Sequence, residues 1–417
     1  MRTKTLNMQL YYLIAGVIIL ILAAARVGLS QSSPAPAPTF GGASSVGGTL
    51  IKDAAVHPSS LKSYFDFKSR IEGKAGLAFG FDYNVLLQAA TESLGADNSA
   101  GGVVRMFGRW GLIGNDSSKT GILVYKLENR HTLGTDIPPQ GLAGEIGYAG
   151  LTALPFSDIG WALTNFFWEQ HLFDNRLAFV GGVVDVTDYV DVYGLVSPWT
   201  GFSNLAFSTN PTIPAPDQGL GIAASFFLTE NLYLLGGMAD LNGDPTDPGD
   251  SFDSFFNTSE YFSHIEFGWV SSYENRFSDN IHLTAWNAGE RELAGTPSGW
   301  GLAFSFSRLI GETWEPYVRA GYADDGGALW DRMVSVGVGY NTGRHTDQIG
   351  LGVNWGRPSE ETYGPDAEDQ YTIELFYRLQ LGRLLAVTPD VQLLFNPADN
   401  PEENAIAVFG LRARLSF

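Results

Sequence analysis

The stretch AIAVFGLRARLSF (residues 405–417) alternates two kinds of surface. In an extended strand, successive side chains point to opposite sides, so Phe409, Leu411, Ala413, Leu415 and Phe417 share one face while Arg412 and Arg414 share the other. Termini of soluble domains are usually frayed and polar. This segment reads instead as a strand whose two faces meet different solvents.

The pattern recurs along the chain. In MVSVGVGYN (333–341), Val334, Val336, Val338 and Tyr340 lie opposite Ser335, Gly337 and Gly339. QIGLGVNWG (348–356) sets Ile349, Leu351, Val353 and Trp355 against Gln348, Gly350, Gly352 and Asn354, and YTIELFYRLQL (371–381) sets Tyr371, Ile373 and Leu375 against Thr372, Glu374, Phe376 and Arg378. Segments of this type, bounded by Gly, Pro, Asn or Asp, are expected near 77–88, 103–113, 120–130, 143–152, 176–186, 219–228, 231–240, 262–272, 280–288, 299–309, 314–322, 332–341, 347–356, 370–381, 387–395 and 405–417. That makes about 16 strands, with GWALTNFFWEQHLF (160–173) left aside as a helix or a loop.

The connections carry a second signal. IGET (310–313), TGRHT (342–346) and GRLLA (382–386) are short, whereas ADDGGALWD (323–331), RPSEETYGPDAED (357–369) and NPADNPEEN (396–404) are long and polar. Short turns alternating with long loops match an all-β transmembrane antiparallel barrel with periplasmic turns and extracellular loops. A secreted β-sandwich also has short alternating strands, but one of its faces packs a dry core. Here one face is rich in Gly, Ser, Thr and Asn, and the other carries aromatics at strand ends, including Tyr340, Trp355, Tyr371 and Phe417, as interfacial girdles do.

Residues 10–25, LYYLIAGVIILILAAA, follow Arg2 and Lys4 and precede small residues at Gly28 and Ser30. They read as a secretory signal spanning 1–30, with an uncleaved N-terminal anchor helix as the alternative. Residues 31–63 begin as a Pro/Ala/Gly tether, and 64–417 form the expected single barrel domain. The chain has no Cys, which excludes both disulfides and a lipid-anchored N-terminus. Removing 1–30 takes away Arg2, Lys4 and Arg26 and no acid, leaving 22 basic against 45 acidic residues, a net charge of −23. Nucleic acid is thereby excluded as a partner, since binding it needs a basic face.

Three stretches resemble the carbohydrate-selective porins, the OprB family: FFWEQHLFDNRLAFVGGVVDVTDYVD (166–191), RIEGKAGLAFGFDYNVLLQ (70–88) and the closing run 371–417 with its TPD, FNP and final Arg-x-Arg elements. The resemblance implies a sixteen-stranded outer-membrane channel for passive diffusion of small sugars, with loops folded inward as a constriction. The apolar face is expected to contact outer-membrane lipid. The acids of the long loops, among them Glu360, Glu361, Asp366, Glu368, Asp369, Asp399, Glu402 and Glu403, are expected to hold divalent ions bridging to lipopolysaccharide. The terminal aromatic strand resembles the signal by which outer-membrane barrels are recognised by the barrel-assembly machinery, with Phe417 as that signal. Alternatives are a general or cation-favouring diffusion porin and, in another class, a structural or adhesive surface barrel.

Alternation places Arg105, Arg109, Arg319, Glu374, Arg378, Arg412 and Arg414 inside, since a charge facing lipid at mid-depth costs about 2–4 kcal/mol. There they line a pore or pair with carboxylates to stiffen the wall. Trp168, Glu169 and His171 belong to a constriction element or a wall strand, and Asp185 and Asp188 share that ambiguity. In ADLNGDPTDPGDSFD (239–253), Asp240, Asn242, Asp244, Asp247 and Asp250 suggest a calcium loop, but the glycine stands fourth from Asp240, not sixth as in an EF-hand, so a solvated loop is the stronger reading. No other cofactor is expected. Hydrolase, metalloprotease and phosphate-loop motifs are missing from the sequence, which points away from an enzyme. Whether the barrel is a monomer or a homotrimer is open at this level.

Overall fold

A computed structural model describes residues 61–114, 119–273, 275–311, 313–343 and 347–417. The 1–30 signal, residues 31–60 of the tether segment, Glu312 in IGET and residues 344–346 in TGRHT lie outside the described residues. Sixteen strands are described: β1 (Leu77–Ala90), β2 (Asn98–Ile113), β3 (Lys119–Thr132), β4 (Gly160–Leu172), β5 (Leu177–Val184), β6 (Gly219–Phe227), β7 (Leu232–Asp240) and β8 (Tyr261–Val270) form the first half. The second half comprises β9 (Asn280–Ala288), β10 (Gly299–Ser307), β11 (Trp314–Asp325), β12 (Trp330–Asn341), β13 (Gln348–Pro358), β14 (Gln370–Leu381), β15 (Leu385–Phe395) and β16 (Ala405–Ser416). Each pairs antiparallel with its chain neighbours, and β1 closes on β16 with Asp82 opposite Ser416 and Ala90 opposite Val408, so the barrel has no free edge.

Alternation decides which face turns inward. Along β14, Gln370, Thr372, Glu374, Phe376 and Arg378 are buried while Leu375 is 49% exposed. Ile222, Ile265, Leu283, Val336, Leu351, Val353 and Phe409 are likewise exposed on their strands. Such an apolar outer belt suits hydrocarbon, where every backbone polar group needs a partner and a closed ladder supplies it.

Two differences from the sequence reading cancel in the strand count. Residues 143–152 are not a strand: a helical turn (Leu142–Glu145) leads into Gly147 and Gly150, whose φ values of 73° and 152° break extension, and the run turns into the barrel. Conversely 160–173, read as helix or loop, supplies β4. Its alternation was hidden by a bulge at Thr164, where the register with β3 shifts between Lys126 and Leu127 and both Thr164 and Asn165 end up buried. The expected long loop 323–331 is also tighter than read, because Asp325, Gly326 and Gly327 take φ of 62°, 75° and 82° in succession and reverse the chain between β11 and β12.

Ahead of the barrel, helix α1 (Lys62–Ala75) ends at Gly76, in the left-handed region, whose N–H bonds to Glu72 O at 2.9 Å. A Cβ at Gly76 would stand 2.8 Å from Gly111 O, so the glycine is required by that close approach as well.

At the β1–β16 closure, Asp82 is fully buried between two arginines. Arg105 donates from Nε (2.8 Å) and Nη2 (2.5 Å), and Arg414 from Nε at 3.1 Å. Asp82→Ala removes the carboxylate shared by two buried guanidinium groups, and breaking a buried pair from one side costs about 3–5 kcal/mol. The folded form should therefore unfold at a clearly lower temperature in a heat-titrated gel-mobility assay; an unchanged midpoint would show that the closure does not depend on this carboxylate.

Candidate functional site inside the barrel

A sixteen-stranded barrel is too wide for wall side chains to fill. Here two connections turn inward, 133–159 between β3 and β4 and 185–218 between β5 and β6, and bury apolar side chains including Tyr148, Phe156, Tyr193, Leu195, Phe202 and Phe207. Phe202 lies at the centre of the largest cluster, with its ring 4.8 Å from Phe207 and 4.9 Å from Phe376 of the wall.

The wall holds the first connection by amides. Gln370 accepts from Ala149 N at 3.0 Å and donates to Ala149 O at 3.0 Å, while Trp330 Nε1 donates to the same oxygen at 2.6 Å. Gln88 and Gln392 both donate to Thr152 O, at 3.2 and 2.9 Å. These side chains satisfy backbone groups that a buried loop cannot leave unpaired.

The second connection is anchored at Asp191, whose φ is 54°. Its carboxylate takes Arg319 Nη2 at 2.5 Å, His282 Nε2 at 2.9 Å and Asn210 Nδ2 at 3.0 Å, and its N–H donates to Glu266 at 2.9 Å. Glu266 is held in turn by Thr284 and by the Tyr233 hydroxyl, each at 2.7 Å. Burial pushes the Asp191 carboxyl up, but Arg319 and the His282 hydrogen bond outweigh it and bring it down to about 2. Its stabilising contribution is therefore complete above the unfolded carboxylate range and is lost only as pH falls toward 2.

The arginines expected to face water are mostly bound to this second connection. Arg412 donates to Pro198 O (2.5 Å), Gly201 O (2.6 Å) and Ser203 Oγ (3.0 Å), Arg378 donates to Thr200 O (3.1 Å), and Arg319 to Phe207 O (3.2 Å) and Thr209 O. Glu374 accepts from Ser203 N and Asn204 N at 2.7 and 3.0 Å. Arg105 stacks over the Trp199 ring at 3.9 Å, and Arg414 stays on Asp82. Thus Arg105, Arg319, Glu374, Arg378, Arg412 and Arg414 are inside, as alternation requires, but buried against protein. Arg109 shares the inner face of β2 and is half-buried.

Trp168 needs correction. It lies in β4 between buried Phe167 and Glu169, so it points to the outer face, where it packs at Gly121 and donates to Gln170 at 3.3 Å. Glu169 points inward and meets His171 at 2.9 Å. In the 239–253 loop the carboxylates are not gathered around one point: Asp240 accepts from Ser251 and Ser254, Asp244 from Thr246, and no group of three or more His, Cys, Asp or Glu among the described residues is arranged to hold a metal ion. Phe417 extends the closure by exchanging backbone hydrogen bonds with Phe81.

Asp82, Asp191, Glu266 and His282 were missed. Inward parity marks Asp82 in GFDYN, opposite Arg105. No local signal marks Asp191, whose partner Arg319 is 128 residues away. Two small cavities flank its segment, one of about 50 Å³ lined by Tyr189, Val192, Tyr233 and Glu266 among others, the other of about 20 Å³ reaching Thr187, Asn210 and Arg319.

Residues 291–417 match the family described as carbohydrate-selective porin, OprB family. No curated protein matches the sequence. Among solved structures the fold is similar to the high-pH structure of Pseudomonas putida OprB, with a TM-score of 0.69 at 15% identity over 85% of this chain and 97% of that one. A structure described as "Asymmetric conductivity of engineered proteins" aligns with a TM-score of 0.50 at 13% identity, over 82% of this chain and 100% of that one. At these identities the likeness shows the fold, a closed sixteen-stranded antiparallel barrel.

Asp188, at the start of the second connection, accepts from Asn165 at 3.2 Å and Lys126 at 3.3 Å. Burial raises its carboxyl to about 6, against the pull of Lys126 and with a further push from Asp185. The folded state thus holds this proton more tightly than the unfolded chain, so the contribution of Asp188 to stability grows as pH falls from 7 to 5. The unfolding temperature of the parent should rise over that interval relative to Asp188→Asn; parallel pH profiles for the two proteins would refute the assignment.

Proposed function

We propose that this chain is an outer-membrane porin that lets small sugars diffuse passively through the barrel past the 185–218 connection. The observation that carries the reading is the OprB-family match over 291–417 on a closed sixteen-stranded barrel whose interior is narrowed by inward-folded, hydrogen-bonded segments. A sugar crossing such a constriction exchanges water for polar groups one contact at a time, and weak repeated contacts keep it moving. Near the Asp191 segment, the Tyr233 hydroxyl and Glu266 line the larger cavity together with the rings of Phe227 and Phe277, which supplies hydroxyl-binding groups beside apolar faces.

The same reading brings export through the 1–30 signal, insertion of the 64–417 domain by assembly machinery and contact with lipopolysaccharide on the long-loop side. A second reading is favoured by the burial of Arg105, Arg319 and Arg412: the inward connections are structural filling and the barrel conducts little.

Reconstituted liposomes separate the two. Swelling in isosmotic monosaccharide, faster than in a disaccharide, is expected for the sugar porin; no swelling and no bilayer conductance would establish the filled barrel. Asp191→Ala removes the acceptor shared by Arg319, His282 and Asn210, so the variant should show several-fold higher conductance and weaker discrimination between sugars. Parent-like conductance and discrimination in a folded variant would remove the Asp191 segment from the permeation path.

A further inference from the structure

We infer that helix α1 is a membrane-surface element that binds anionic phospholipid headgroups of the leaflet at the short-turn end of the barrel. The inference rests on where the helix lies and how its residues are distributed. Its contacts follow the rim: Ala75 O accepts from Trp110 Nε1 of β2 at 3.0 Å, and the Phe67 ring is 6.4 Å from Phe79 on the outer face of β1. Lys68 Nζ donates to Phe417 O at 3.0 Å beyond β16, and the Arg383 guanidinium in the β14–β15 turn lies 5.8 Å from the Phe65 ring. A helix of 14 residues is about 21 Å long, which is about the width of four adjacent strands. The helix therefore runs tangentially beneath the wall, in the plane where the outer belt ends.

Its exposed edge suits that plane. At 3.6 residues per turn, Phe67, Arg70 and Lys74 fall within about 60° of arc. Phe67 is 46% exposed and both basic side chains are exposed; Glu72 lies on the opposite side of the helix, and Asp66, one turn before Arg70, is paired with Lys62 at 2.5 Å. Next to this edge the outer belt continues through Trp110, Leu112 and Ile113, which are 41%, 48% and 53% exposed. The outer face of the wall thus meets the helix at Phe79 and Trp110.

Charge complementarity names the occupant. α1 carries Lys62, Lys68, Arg70 and Lys74 against Asp66 and Glu72, in a chain whose overall charge is −20. An apolar side chain flanked by Arg and Lys at a membrane rim seats the ring among acyl chains and the cations among phosphates.

The test uses the full chain in nanodiscs of phosphatidylcholine alone and of phosphatidylcholine mixed with phosphatidylglycerol, read by amide hydrogen exchange. Two basic side chains at an anionic surface should slow exchange over residues 62–75 on the order of tenfold in the mixed bilayer. The difference should vanish in high salt and in Arg70→Glu/Lys74→Glu, with exchange of β16 unchanged as the control for folding. Equal exchange of 62–75 in the two bilayers, or a phosphatidylglycerol effect that survives in the double variant, overturns the proposal.

Discussion

Closure of β1 on β16 is the constraint from which the rest follows. With Tyr83 opposite Leu415 and Val85 opposite Ala413, the first and last strands of the ladder pair with each other, and the apolar belt on the outer face becomes tolerable in hydrocarbon. Hydrogen bonding alone does not choose the closing register. Alternation does, because slipping by one residue would swing Arg412 and Arg414 onto the lipid face and Phe409 and Leu411 inside. Asp82, bound by arginines from both neighbouring strands, has its charged partners only in the register observed.

Closing sixteen strands creates the next problem, an interior that the wall cannot fill. The two inward connections solve it in a consistent way. Their apolar side chains cluster on each other and on Phe376 and Trp330, and their backbone groups are matched to wall amides, arginines and Glu374. Arginine suits this task better than lysine because its planar fork reaches several carbonyls at once, as Arg412 reaches Pro198 and Gly201 together. Leaving those carbonyls unpaired in a dry interior would cost more than fixing the side chains that meet them.

This division explains what the sequence could disclose. Strands such as 280–288 and 370–381 were legible to the residue, since period-2 alternation is local and one-sided solvent enforces it. β4 escaped because one inserted residue, Thr164, reverses the pattern halfway, and 143–152 misled because a segment buried on all sides shows apolar residues in any order. Wall parity correctly turned six of the seven charged wall candidates into buried interior groups and left Arg109 half-buried on the same face. It gave no information on whether they would meet water or protein, since that depends on loops returning from more than a hundred residues away. Trp168 shows the converse: proximity to Glu169 in sequence is what puts the two on opposite faces.

The Asp191 cluster carries this logic into the second inward connection. Burial pushes the Asp191 carboxyl up, but Arg319 and the His282 hydrogen bond bring its pKa down to about 2, so its segment is held by charge as well as by packing. Asp188, three residues earlier, is pushed up to about 6, because burial and the charge of Asp185 outweigh the pull of Lys126 and Asn165. Within one inward turn, then, a permanently charged anchor stands beside a carboxyl whose charge depends on its surroundings. The anchor sets where the backbone runs, and the adjustable group sits where the turn leaves the wall.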